Sequence, residues 1–343
     1  MRFNRPLLRL PIRFCAETLA RQVSSLPGSA WVAHPNGFPG NEAVRLITPG
    51  GMPTDALSGS MAPTEYLRSC PYIVEIMSEL GGTWGRSRLM GLAAGAEVPA
   101  HVDSHYYWRT HLRIHIPVIT NPGVEFTCGG ETVHMAAGDC WVFDSFQRHE
   151  VHNRGDAHRV HLVLDTVGGR KLWDMMEQAH SDAPPEPRLF EPGEGAGQAL
   201  LFERVNVPTI MSPWELRCHI AFIAERARPH PRLDEVMRRL EKLVHQWGAL
   251  WAAYADPSEG VRAFQQLLAE AGTDLSQLGG NDITLTNDLT FYHVLGRLVF
   301  EVAIARPEPS ASQGTVRQPA GPSRLASEWP PKARSPAASP TAR

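Results

Sequence analysis

The feature that most constrains the fold is an alternation of apolar and polar residues in the middle of the chain. Its clearest stretch has aliphatic residues at every second position, Leu112, Ile114, Ile116 and Val118, between His111, Arg113 and His115. Successive side chains of a β-strand point to opposite faces, so this period predicts strands with one apolar face. Gly129 and Gly130 separate two further short runs, as expected for a hairpin turn. Residues from about 86 to 167 are therefore predicted to be mainly β, in a sandwich or jelly roll.

The C-terminal third of the chain has a different pattern. Over residues 211–305 the apolar residues recur at intervals of three and four, and Ser212, Pro213 and Glu215 are placed as in a helix capping box. From residue 306 onward Pro, Ala and Ser dominate, which is typical of disorder. We predict a jelly-roll domain with its N-terminal strands and helices over 1–170, a linker over 171–210, an α-helical subdomain over 211–305 and a disordered tail over 306–343.

Composition excludes several classes of partner. The chain has 33 Lys and Arg against 36 Asp and Glu, so it lacks the positive surplus that nucleic acid or an anionic membrane would require. The five cysteines include no C-x-x-C pair, which argues against a disulfide framework and a thiolate zinc site. No long apolar run or signal-peptide pattern is visible. We therefore predict a cytoplasmic protein with no nucleic-acid or membrane partner.

Histidine is concentrated in the predicted β region, where nine of the 15 lie between residues 101 and 161. His101 and Asp103 form an H-x-D motif in a segment predicted to be extended, so their side chains point to the same side. A second H-x-D, His180-Ser181-Asp182, lies in a Pro-rich stretch and is interpreted as chance. His149 follows several strands later. Two histidines and one carboxylate can form a facial triad for Fe(II), so we predict His101, Asp103 and His149 as catalytic metal ligands.

An arginine follows the distal histidine on the next alternating stretch. Arg159 comes ten residues after His149. A guanidinium group can bind a carboxylate through two parallel hydrogen bonds, and it stays charged when partly buried. We therefore predict that Arg159 binds a dicarboxylate cosubstrate.

Residues 88–168 resemble the aspartyl/asparaginyl β-hydroxylase family of Fe(II)- and 2-oxoglutarate-dependent dioxygenases. The resemblance lies in RLMGLAAGAEVPAHVD, LRIHIPV, GGETVHMAAGDCWVFDSFQRHEVHN and RVHLVLD. It implies a double-stranded β-helix (jelly roll) with Fe(II) on the triad, O₂ as the second substrate, and Arg159 on the distal carboxylate of 2-oxoglutarate. It also implies that Arg113 and His115 face this cosubstrate. Met90 is a departure, because some vertebrate members of the family carry a hydroxyl there that helps to hold the cosubstrate.

The resemblance predicts a dioxygenase that hydroxylates an unactivated C–H bond and releases succinate and CO₂. With no targeting segment visible, we expect a free amino acid or a small amino-acid-derived metabolite as substrate. One alternative is β-hydroxylation of Asp or Asn residues in a peptide or protein. Two others are a non-catalytic jelly-roll binding module and a cupin-type metalloenzyme, although the closely spaced H-x-H with a following Glu of cupins is missing. The sequence indicates no oligomeric state.

Several nearby residues have two interpretations each. His161 shares a strand face with Arg159, so it either supports the site or packs in the core. Tyr106, Tyr107 and Trp108 either line the substrate entrance or pack at the edge of a sheet.

Overall fold

The computed structural model describes residues 3–35, 37–195, 199–254 and 256–305, and the chain divides into two compact units, Met1–Val207 and Pro208–Arg343. The predicted disordered tail over 306–343 lies outside the described residues. Within the described part of the chain, no helix is both long enough and apolar enough to cross a lipid bilayer.

The first unit is built mainly from antiparallel strands. Their bounds are β1 (Leu7–Phe14), β2 (Val32–Ala33), β3 (Asn41–Pro49), β4 (Met61–Pro63), β5 (Thr83–Leu92), β6 (Glu97–His101), β7 (Leu112–Ile119), β8 (Val124–Cys128), β9 (Glu131–Val133), β10 (Asp139–Phe143), β11 (His149–Asn153), β12 (Arg159–Gly168), β13 (Arg188–Phe190) and β14 (Leu201–Phe202). The larger sheet has the order β13-β1-β10-β7-β12-β5-β3-β2, with β4 beside β3 and β14 beside β5. The smaller sheet has the order β6-β11-β8-β9.

The two sheets enclose a layer of side chains, as in a jelly roll. An apolar cluster joins Phe126 and Val151 of the smaller sheet to Leu92 and Phe143 of the larger one. Gly129 and Gly130, both with positive φ, connect β8 to β9. The prediction of a mainly β jelly roll with a hairpin at these glycines is confirmed.

Helices cover the outer face of the larger sheet. The helices of this unit are α1 (Ala16–Ser24), α2 (Glu65–Arg68), α3 (Pro71–Leu80), α4 (Tyr106–Thr110) and α5 (Arg170–His180). The aliphatic residues of β7, such as Ile114 and Ile116, are fully buried in a core that also contains Leu19 of α1 and Ile73 of α3. Because side chains alternate along a strand, the polar residues of β7 point instead into the space between the sheets.

The predicted linker over 171–210 is not a linker in the structure. Most of α5 lies in it and contributes the buried Leu172 and Met176 to the core. β13 pairs in parallel with β1, and β14 pairs in parallel with β5. The Pro-rich composition of this segment conceals two strands of only three and two residues, too short to produce a periodic pattern.

The second unit is helical in its described residues. It contains α6 (Pro213–Ala224), α7 (Leu233–Ala253), α8 (Val261–Leu278) and α9 (Phe291–Leu295). The Ser212 side chain accepts a hydrogen bond from the Glu215 amide at 3.2 Å, so the predicted N-cap is present. Trp247 of α7 is fully buried against Phe264, and its indole donates to the Met211 carbonyl at 2.8 Å.

The turn before β10 provides a test of this fold. Gly138 has φ +81°, and a Cβ there would lie 2.2 Å from the carbonyl oxygen of Phe14. Gly130 has φ +86°, but a Cβ there would meet nothing within 4 Å. We expect Gly138→Ala to lower the free energy of unfolding by about 3 kcal/mol, and Gly130→Ala by only about 1 kcal/mol. Urea denaturation measures both; equal losses would contradict the close approach of β1 to this turn.

Candidate active site

The pairing of β6 with β11 brings the predicted metal ligands together. His101 at the end of β6 lies directly opposite His149 at the start of β11. The segment after β6 is fixed by a hydrogen bond from the Asp103 amide to the Ser145 carbonyl at 3.0 Å. One ligand atom from each of His101, Asp103 and His149 lies within 4.8 Å of the others. Within the residues that the structure describes, this is the only such group of three or more His, Cys, Asp or Glu.

The imidazole rings are oriented for metal binding. The Nδ1 atom of His101 lies 2.8 Å from the Pro99 carbonyl oxygen, and that of His149 lies 2.9 Å from the Gln147 carbonyl oxygen. A carbonyl can only accept, so Nδ1 carries the proton in the neutral form of each ring, and the lone pair of that form is on Nε2. The His101 Nε2 atom lies 4.0 Å from Asp103 Oδ1. Both free nitrogens can therefore act as ligands together with this oxygen.

Burial favours the metal-binding form of His149. This side chain is 4% exposed, and burial, only partly opposed by the Asp103 charge, lowers its pKa to about 4. A neutral imidazole beside a second imidazole and a carboxylate suits a divalent transition metal. The donor set present in the chain therefore fits Fe(II), and three protein ligands leave coordination positions open.

Arg159 begins β12 and is buried without enough partners. Its side chain is 4% exposed, and its Nε and Nη2 atoms make no hydrogen bond. Burial lowers its pKa to about 9, so the group is still charged at neutral pH. A buried charged donor without an acceptor is costly, which indicates a place for an anion.

Arg113 and His115 project from β7 into the same cavity. Arg113 donates to Asp103 Oδ2 at 3.0 Å and to Asp165 Oδ1 at 2.9 Å. Burial opposes its charge, but Asp165 and Asp103 raise its pKa above the ordinary value. Arg113 is therefore held by two carboxylates and fixes one oxygen of the metal ligand Asp103.

His115 is enclosed by aromatic rings. It meets Phe126 and Phe143 edge to face, with centroid distances of 5.4 and 5.2 Å. Its Nδ1 atom lies 3.5 Å from Nδ1 of His161, which is 1% exposed. Burial, reinforced by Arg159, lowers the pKa of His115 well below 6.5. His161 thus lies behind His115, in contact with a cavity residue and buried in the core.

The cavity between the sheets has a volume of about 310 Å³, and all six predicted site residues line it. Arg86, Arg88, Trp108 and Asp165 line it as well and were not predicted as site residues. For Trp108 the sequence left two interpretations open, a position at the substrate entrance or packing at the edge of a sheet. The guanidinium carbons of Arg113 and Arg86 lie 3.9 and 4.8 Å from its ring centroid. Tyr106 and Tyr107 are buried.

The remaining clustered histidines have other surroundings. His105 caps α4, and buried His111 lies 2.7 Å from Glu203. His152 lies near Glu97 at the surface of the smaller sheet. His180, from the second H-x-D motif, ends α5 and contacts Asn4. Among the described residues, no third ligand joins His180 and Asp182.

Comparison with known families now adds to the geometry. Residues 57–168 match the family model described as aspartyl/asparaginyl beta-hydroxylase. The matched segment, 112 of the 343 residues, is similar to the aspartyl/asparaginyl β-hydroxylase family. The match confirms the family predicted from the sequence and the enzyme class, a 2-oxoglutarate-dependent hydroxylase. A comparison with curated proteins finds no match.

Solved structures with some similarity to this chain include two oxygenases and a cupin. An oxidoreductase of the 2OG-Fe(II) oxygenase family from Burkholderia pseudomallei is 17% identical with a TM-score of 0.37, over 48% of this chain and 88% of that chain. A Pseudomonas putida prolyl-4-hydroxylase is 13% identical with a TM-score of 0.34, over 49% of this chain and 94% of that chain. A cupin 2 conserved barrel domain protein from Salinispora arenicola CNS-205 is 15% identical with a TM-score of 0.25, over 45% of this chain and 93% of that chain. These scores are low, so the family assignment depends on the match of residues 57–168.

The two H-x-D motifs allow a controlled test of metal binding. We expect His101→Ala to weaken Mn(II) or Fe(II) binding by more than about 100-fold, because even the loss of an outer-shell partner costs 10–100-fold. His180→Ala removes the histidine of the other motif and is expected to leave the affinity unchanged. Anaerobic titration calorimetry measures both constants. Equal affinities in the two variants would contradict the assignment of the metal site.

Proposed function

We propose that this β-hydroxylase family member is an Fe(II)- and 2-oxoglutarate-dependent dioxygenase that hydroxylates a free amino acid or a small amino-acid-derived metabolite. Succinate and CO₂ are its coproducts. The proposal assigns His101, Asp103 and His149 to Fe(II), and Arg159, Arg113 and His115 to the cosubstrate.

The observation that carries the proposal is the position of Arg159. Its partly unpartnered guanidinium lines the same cavity as the three metal-ligand side chains. 2-Oxoglutarate has a carboxylate at each end, so one end can reach the metal while the other binds a guanidinium group. A vestigial binding module would have no reason to keep this buried charge in the same cavity as a complete ligand set.

The other residues orient the groups that react. Pro99 and Gln147 hold the two imidazole rings, and Arg113 holds the Asp103 carboxylate through Oδ2. Phe126 and Phe143 form part of the cavity wall, and apolar walls of this kind strengthen the charge interactions beside them. Bound Fe(II), with 2-oxoglutarate and O₂, supplies the oxidising power for C–H hydroxylation.

The size of the cavity favours a small substrate. Ligand pockets usually measure roughly 300–1,000 Å³, and this one, at about 310 Å³, is at the lower end before the cosubstrate takes its share. What is left suits one amino acid or one inserted side chain.

The test is release of succinate from 2-oxoglutarate, measured with Fe(II) and a panel of free amino acids and peptides. We expect Arg159→Ala to raise the KM for 2-oxoglutarate by about 10- to 100-fold, since a charge-assisted pair contributes about 1.5–3 kcal/mol. His101→Ala should abolish turnover because it removes a metal ligand.

Arg154→Ala is the matched control, since Arg154 forms an exposed ion pair with Glu125 outside the cavity. Its KM for 2-oxoglutarate and its rate of succinate release should equal those of the unchanged protein. Equal turnover in the unchanged protein, His101→Ala and Arg159→Ala would overturn the proposal. Stimulation by peptides but not by free amino acids would show that the substrate is a peptide side chain.

A further inference from the structure

Two arginines on β5 occupy a second part of the cavity. Arg86 and Arg88 are two residues apart on one strand, so both side chains point between the sheets. They are 9% and 5% exposed, and both line the cavity. Neither is needed to hold the metal ligands or the predicted cosubstrate.

These arginines are separated from Arg159 along the sheet. Arg159 pairs with Leu92 of β5, whereas Arg88 pairs with Val163 of β12. Four residues separate Leu92 from Arg88, which corresponds to about 13 Å along an extended strand. The cavity therefore has two separate basic regions, one at Arg159 and one at Arg86 and Arg88.

Asp55 is the acidic side chain that pairs with this second region, and another residue already holds it. Both of its carboxylate oxygens accept hydrogen bonds from Arg45 on the neighbouring strand β3. The Nη1 atom of Arg88 lies 3.4 Å from Asp55 Oδ1 but makes no hydrogen bond. One carboxylate is thus shared between two guanidinium groups.

Arg86 is also incompletely satisfied. Its Nη1 atom donates to the Asp55 backbone carbonyl at 3.3 Å, and its Nε atom is buried without a hydrogen-bond partner. Burial is the main cause that lowers the pKa of both arginines, that of Arg88 to about 9. Arg86 and Arg88 therefore retain donors that no protein group accepts.

The charge of the whole site supports the same conclusion. Five guanidinium groups meet only three carboxylates here: Arg45, Arg86, Arg88, Arg113 and Arg159 against Asp55, Asp103 and Asp165. Fe(II) and the 2-oxoglutarate dianion would cancel each other. Two positive charges then remain for the substrate.

Building on the proposed function, we infer that Arg86 and Arg88 bind a carboxylate group of the substrate and so select anionic substrates. Buried donors that lack acceptors are satisfied by a carboxylate, which can accept two hydrogen bonds from a guanidinium group. The ring of Trp108, next to Arg86, forms an adjacent wall of this region. The carboxylate can be the α-carboxylate of a free amino acid or an acidic side chain.

The experiment compares each standard L-amino acid with its α-amide as a stimulator of succinate release. For the unchanged protein we expect kcat/KM to favour the active acid over its amide by about 10- to 100-fold, as the loss of a charged hydrogen-bonded pair predicts. If the recognised group is a side-chain carboxylate, only aspartate or glutamate will be active and their α-amides will keep the activity. Activity that requires no carboxylate in either position overturns the inference.

In Arg88→Gln, the ratio of kcat/KM for the carboxylate form to kcat/KM for its neutral amide should fall close to one, and the substrate KM should rise. Arg88→Lys should restore part of this preference because it keeps the charge, and Arg86→Gln tests the second arginine. Arg154→Gln, at the exposed pair with Glu125, is the matched control and should keep the full preference. Structural damage would lower the activities with the carboxylate form and with the amide equally and leave their ratio unchanged. A ratio in both Arg88→Gln and Arg86→Gln equal to that of the unchanged protein therefore overturns the inference.

Failure of the inference is distinguishable from failure of the proposed function. If no compound in the panel and no background reaction releases succinate from 2-oxoglutarate, the dioxygenase proposal itself fails. If succinate release is stimulated equally well by compounds that keep no carboxylate in either position, the dioxygenase proposal stands and the carboxylate inference fails.

Discussion

The site depends on the antiparallel pairing of β6 with β11. These strands are separated by almost 50 residues in the chain, yet their pairing sets His101 directly opposite His149. The carbonyls of Pro99 and Gln147, each two residues before the histidine that it holds, then fix both rings. An apolar cluster that includes Phe126, Phe143 and Val151 holds the smaller sheet over the larger one, so packing of the two sheets places these ligands in one cavity with Arg113 and Arg159.

Charge inside the cavity is only partly balanced by the protein. Arg113 has two carboxylate partners, Asp103 and Asp165, and so contributes rigidity to the ligand set. Arg159 has buried atoms without any partner, Arg86 has a buried Nε without one, and Arg88 shares the Asp55 carboxylate with Arg45. Buried unpaired charge is destabilising, and a bound anion would remove this cost. The proposal of two anionic ligands, a cosubstrate and a substrate, follows from this distribution.

The sequence predicted those parts of the site that depend on local geometry. His101 and Asp103 share a side because i and i+2 do so in any strand, and the alternation over β7 placed Arg113 and His115 on the inner face. The pairing of β11 with β6 is long-range, and the prediction that His149 joins the triad came from order along the chain and from family resemblance. The mainly β fold followed from the same period of two.

Other parts were invisible for physical reasons. Arg86 and Arg88 look like solvent-facing residues of an alternating strand, and only the covering smaller sheet makes their face internal. Asp55 lies in an irregular segment between β3 and β4, where no period marks a partner for Arg88. The segment after β12 was predicted as a linker because the strands in it are too short to show a pattern.

The most direct measurement is a crystal structure of the protein with Mn(II) and 2-oxoglutarate bound under anaerobic conditions. It should show the metal on Nε2 of His101, Nε2 of His149 and an oxygen of Asp103. The distal carboxylate of 2-oxoglutarate should accept hydrogen bonds from Arg159, with Arg86 and Arg88 still open to a second anion. A metal bound elsewhere, or a distal carboxylate on Arg86 and Arg88 with Arg159 left without a partner, would contradict the assignment.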